Sequence, residues 1–131
     1  MSDSPSIKPG AERTFTVEEA NDLLPWLRDV LPRVREARQV ILGGGERIRR
    51  TSPLNGGGAF SREYWDALSS LRRDVEQLAT KGIILRDADT GLVDFPAQRE
   101  GNQILLCWRL GEGSVAFWHS PQSGFSGRRA L

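Results

Sequence analysis

The stretch Gly82-Ile83-Ile84-Leu85-Arg86-Asp87-Ala88-Asp89-Thr90-Gly91-Leu92-Val93-Asp94-Phe95-Pro96, residues 82–96, is where the chain changes its period. Before it, apolar residues recur every three or four positions. Within it they form short β-branched and aromatic runs around a turn. Gly82 after Lys81 closes a helix. Asp89-Thr90-Gly91 then reads as a three-residue hairpin loop with glycine at the left-handed position, closed by Ala88 and Leu92. Pro96 is expected to end the second strand.

Upstream, Thr16 and Glu19 make a capping box at the start of a helix. Leu23, Leu24, Leu27, Val30, Leu31 and Val34 follow at helical spacing. Pro25 suits the first turn of a second helical segment. Pro32 is expected to kink that helix or mark a short break. The reading is a short helix, a bend at Leu24-Pro25, and a longer helix to about Leu42, ended by Gly43-Gly44-Gly45. Residues 43–60 then form a basic, glycine-rich mobile connection. Ser61 caps the next helix, with Phe60 and Trp65 as a hydrophobic staple. Tyr64, Leu68, Leu71, Val75 and Leu78 form a narrow seam suited to one antiparallel partner helix.

Downstream, Gln103–Leu110 and Val115–His119 read as third and fourth strands joined by a tight turn at Gly111-Glu112-Gly113-Ser114. The remaining C-terminal residues read as loop. The expected fold is α+β: an N-terminal helical hairpin with a kinked first helix, packed on a C-terminal four-stranded antiparallel meander. Residues 1–14 form a disordered tail and 15–131 one domain, divided into a hairpin over 15–81 and a sheet with its loop tail over 82–131.

Bulk properties exclude several classes. The 131 residues carry 18 Lys+Arg against 17 Asp+Glu, which argues against nucleic acid as a partner. Arg47, Arg49, Arg50, Arg62, Arg72 and Arg73 are interspersed with acids and read as a solvated surface. One cysteine forms no internal disulfide, and no zinc motif of paired cysteines is present. The N-terminus lacks a signal-type apolar core, and no apolar run spans a bilayer. The expectation is a cytoplasmic protein without a membrane partner.

Turn geometry pairs Arg86 with Asp94, Trp108 with Phe117 and Cys107 with Trp118. One face then carries Leu85, Val93, Phe95, Leu106, Trp108, Leu110, Val115 and Phe117 and packs on the helices. The other carries Arg86, Asp94, Cys107, Arg109 and Trp118 among Ile84, Leu92, Leu105 and Ala116. It is too apolar for a solvated face and too charged for a core, so it is the expected interface or ligand face, serving a homodimer or another protein. His119 falls on the opposite side from Cys107 in this register. No cofactor is expected, and a lone histidine reads first as a hydrogen-bonded structural residue; the alternative is a divalent metal at His119 with Asp94. With Arg86 and Arg109 added, that pair becomes the candidate centre of a small metal- or anion-dependent enzyme. Arg128 and Arg129 are a second anion candidate.

FTVEEANDLLPWL (15–27), GIILRDADTGLVDFPA (82–97), LLCWRLGE (105–112), AFWH (116–119) and GFSGRR (124–129) resemble the uncharacterised prokaryotic domain of unknown function family 2203. The resemblance spans nearly all of residues 15–131. It implies a helical hairpin with a sheet in a small bacterial cytoplasmic protein, and supplies no catalytic residues.

Overall fold

The computed structural model describes residues 13–50 and 61–131. Residues 43–50 of the connection expected over 43–60 are helical instead, while its residues 51–60, residues 1–12 of the tail expected over 1–14 and the Phe60 half of the staple lie outside the described residues. So do the side chains of Arg47, Arg49 and Arg50. Three helices precede a five-stranded antiparallel sheet: α1 (Val17–Asp22), α2 (Leu24–Arg50), α3 (Arg62–Lys81), then β1 (Ile84–Asp87), β2 (Leu92–Arg99), β3 (Asn102–Arg109), β4 (Phe117–His119) and β5 (Arg129–Ala130). The strands lie side by side in chain order. The architecture is α+β as expected, with one strand more than the sequence suggested: β5 forms from the tail read as loop.

The capping box closes as its chemistry requires. Thr16 Oγ1 accepts from the Glu19 N–H, and Glu19 Oε1 accepts from the Thr16 N–H. The break between α1 and α2 falls at Leu23, which leaves Pro25 in the first turn of α2. Pro32 neither breaks nor ends α2; it sits exposed inside the continuous helix. Nor do the glycines at 43–45 end it. A Cβ on Gly44 would stand 2.8 Å from Tyr64 Cδ1, so glycine here lets α3 approach closely. Packing overrides the weak helix propensity.

The seam of α3 is rotated from the expected one. Ala67, Asp74 and Leu78 are buried, whereas Leu68 and Val75 are exposed. A polar residue took the place of an apolar one because Asp74 is paired: the Arg33 guanidinium grips its carboxylate through Nε and Nη2 at 2.9 and 3.0 Å. Ser61 Oγ accepts from the Tyr64 N–H, and Gly82 ends the helix, both as expected.

In the sheet, β2 continues through Pro96 to Arg99. Leu105 is Pro96's neighbour on β3, yet the Pro96 carbonyl accepts from the Phe15 N–H at 2.7 Å. Its missing N–H therefore falls on the edge away from β3, where no ladder bond is lost. Glu100 and Gly101, both at positive φ, turn the chain tightly into β3. Leu27, Leu31, Val34 and Leu78 from the helices and Val93, Phe95, Leu106 and Trp108 from the sheet fill one core. The expected helix-facing set on β2 and β3 is therefore the observed one.

Candidate functional site

The other face of β2 and β3 presents Asp94, Leu105 and Cys107. What meets them is decided by β4, and here the structure corrects the sequence reading. The partners are Leu105 with His119, Leu106 with Trp118 and Cys107 with Phe117. This is one residue away from the expected register. Trp118 consequently lies on the helix side, packed against the main core. His119 and Phe117 move to the second face, so His119 shares it with Cys107 instead of opposing it.

The cause of the slip is the connection from β3 to β4, which is longer than a tight turn. The Val115 N–H donates to Asn21 Oδ1 at 2.8 Å, and Arg28 Nη2 donates to the Gly113 carbonyl at 2.9 Å. These bonds to α1 and α2 hold the loop out and delay the start of β4. The β1–β2 register also differs. Asp87 pairs with Leu92, so the loop comprises Ala88–Gly91, and Ile84 rather than Arg86 stands opposite Asp94. An irregularity between Leu85 and Asp87 still brings the Arg86 side chain to Asp94, diagonally.

Four predicted residues thus converge. Arg86 Nε donates to Asp94 Oδ2 at 2.7 Å. His119 Nε2 lies 3.0 Å from the same oxygen. One ligand atom each from Asp94, Cys107 and His119 lie within 4.8 Å of one another. Asp94 is 1%, Cys107 0% and His119 3% exposed. Arg86 is about half exposed and links this buried group to solvent.

The imidazole is fixed by both its nitrogens. Nδ1 lies 2.8 Å from the Ser120 carbonyl oxygen, which only accepts. Nε2 then faces a carboxylate oxygen, also an acceptor. Asp94 Oδ1 is the one buried side-chain nitrogen or oxygen among the described residues with no hydrogen-bond partner. The Cys107 thiol leans on this carboxylate but is a weak donor. Burial first, and then the negative charge of Asp94, push that thiol up to about 12. It is therefore no ready nucleophile.

The remaining predicted residues do not join the group. Arg109 is exposed and stacks on Phe125 at 5.2 Å. Arg128 and Arg129 diverge. Arg129 lies over Trp118 at 5.5 Å, whereas Arg128 is 3.9 Å from the Phe117 ring centre and 4.6 Å from that of Phe125. Arg128 Nη2 is also bound to Glu112 Oε2 at 2.7 Å, so its charge is already answered. The Arg128 contacts lay the C-terminal segment against the second face, a role the sequence reading missed. Its only local signal was one phenylalanine followed closely by two arginines in GFSGRR.

The chain matches, over residues 13–131, the model of a family described as an uncharacterized conserved protein, DUF2203. It belongs to that family. No curated protein and no solved structure matches this DUF2203 chain significantly. No helix among its described residues is long and apolar enough to cross a membrane.

Proposed function

We propose that this DUF2203 chain is a non-catalytic interaction module that docks a second copy of itself along α3. The supporting observation is the exposure of Leu68 at 37% and Val75 at 40%, seven residues apart on one flank of α3. An adjoining strip of the same helix packs on α2. A helix with an apolar pair one heptad apart beside its buried strip suits a bundle, and two such hairpins side by side make four helices.

The burial of the sheet's second face favours the helix over that face as the docking surface. Of the residues first read as the interface, Asp94 and Cys107 are sealed inside the chain and Trp118 belongs to the core side. The enzymatic alternative loses support in the same way, because its base and its thiol are withdrawn from solvent and the thiol is held protonated.

Analytical ultracentrifugation over a wide concentration range tests the reading. The expected result is a reversible dimer that Leu68→Glu with Val75→Glu converts to a monomer of unchanged helicity. A wild-type protein that stays monomeric at every concentration overturns it.

A further inference from the structure

We propose that Asp94, Cys107 and His119 bind one divalent transition metal of zinc type. The argument begins with the strands. Asp94 on β2 pairs directly with Cys107 on β3, and His119 on β4 pairs with Leu105, one same-face position away. Three neighbouring strands thus deliver a carboxylate, a thiol and an imidazole to one buried point.

The orientation of the imidazole fits a ligand. A metal-binding histidine usually gives its second N–H to a carbonyl or carboxylate, which fixes the ring and leaves the other nitrogen for the metal. Here Nδ1 faces the Ser120 carbonyl, the partner such a bond needs, and Nε2 is the nitrogen turned to Asp94 and Cys107. With the Nδ1 proton given to Ser120, Nε2 meets Asp94 Oδ2 as a second acceptor at 3.0 Å, and Arg86 serves that oxygen but leaves Nε2 without a cation. A proton is one solution and a metal is the other.

The carboxylate favours the metal. Arg86 occupies Oδ2, while Oδ1 is buried and lacks a partner. A buried oxygen without a partner is costly, and metal ligation is a way to remove that cost. Arg86 then acts as the outer partner that orients the ligating carboxylate. Metal–ligand bonds of about 2.0–2.3 Å set tetrahedral ligands roughly 3.3–3.7 Å apart. Starting from atoms already within 4.8 Å, small side-chain rotations reach that spacing.

The donor set selects the ion. One nitrogen, one sulfur and one oxygen suit zinc or cobalt, whereas magnesium and calcium prefer oxygen alone. Among the described residues no fourth His, Cys, Asp or Glu joins the group, so the fourth position falls to water or another small ligand.

The chain offers an unusually clean assay, because Cys107 is its only cysteine. The whole protein is stripped with a chelator and titrated with Co2+, while native mass spectrometry follows Zn2+ loading of a parallel sample. The expected result is one ion per chain with a thiolate-to-cobalt charge-transfer band, a band that only Cys107 can supply. His119→Gln is expected to weaken Co2+ binding by more than about tenfold. Cys107→Ser is expected to abolish the band while circular dichroism stays unchanged. If Cys107→Ser fails to fold, the wild-type band alone decides. A folded wild-type protein that shows no such band and takes up no stoichiometric Zn2+ overturns the proposal and leaves a metal-free ion pair. Neither result bears on the dimer, which is read by ultracentrifugation.

Discussion

The two faces of this sheet are built from alternate residues of the same strands, yet they are sealed by different means. On the helix side, Val93, Phe95, Leu106 and Trp108 are covered by a ready-made amphipathic layer. On the other side, Asp94, Cys107 and His119 reach the same degree of burial without a helix among the elements named beside them. Arg128 over Phe117, Phe125 beside Arg109, and the Arg128–Glu112 pair are parts of their cover. The first face is stabilised by volume and the second by matched charges. Volume tolerates reshaping, whereas a matched charge fails once its partner is removed.

That contrast can be broken at graded cost. The largest effect is expected from Trp108→Ala, which empties the centre of the helix-side core and should cost about 3–5 kcal/mol in urea denaturation. Next comes Asp94→Ala, which leaves the His119 ring without its carboxylate and releases Arg86 to solvent. Because Arg86 is already half exposed, a loss of about 3 kcal/mol is expected, at the lower end for a broken buried pair. A double-mutant cycle with Arg86→Ala should show coupling between the two positions.

The third expectation concerns pH in chelator-treated protein. The folded thiol of Cys107 titrates at about 12 against a reference of 9.0. Between these values the unfolded chain loses a proton that the folded chain keeps. Stability therefore falls as pH rises through this window, by up to about 1.4 kcal/mol per pH unit. Cys107→Ser should remove this part of the slope, measured as the difference from wild type. The smallest effect is expected from Arg128→Ala, about 1 kcal/mol, because Glu112 keeps partial access to water. Its sharper signature is kinetic: thiol-reactive reagents should label native Cys107 faster once the cover opens more often.

The parts legible in the sequence were those fixed by neighbours. The capping box at Thr16, the Ser61 cap and the Gly82 stop depend on residues a few positions apart, and all three formed. The alternation along β2 and β3 named the helix-side face correctly for the same reason. The register of β4 was not legible, because bonds from Asn21 and Arg28, 94 and 85 residues away, hold the preceding loop. That single slip hid the meeting of His119 with Cys107. The rotated seam of α3 was hidden likewise, since its buried Asp74 is stabilised by Arg33 from α2. At the site, Arg86, Asp94, Cys107 and His119 were each singled out, but their convergence belonged to the tertiary fold.

The bonds from Asn21 and Arg28 to the β3–β4 loop also order events in time. A chain made from its N-terminus exposes α1 long before Val115 and Gly113 exist. The helical pair can assemble early from local contacts, with Arg33 and Asp74 only 41 residues apart. The loop, β4 and the covering segment complete last, and with them the enclosure of His119. A chain cut before Val115 is therefore expected to lack the closure of the charged face while keeping the residues of the Arg33–Asp74 pair.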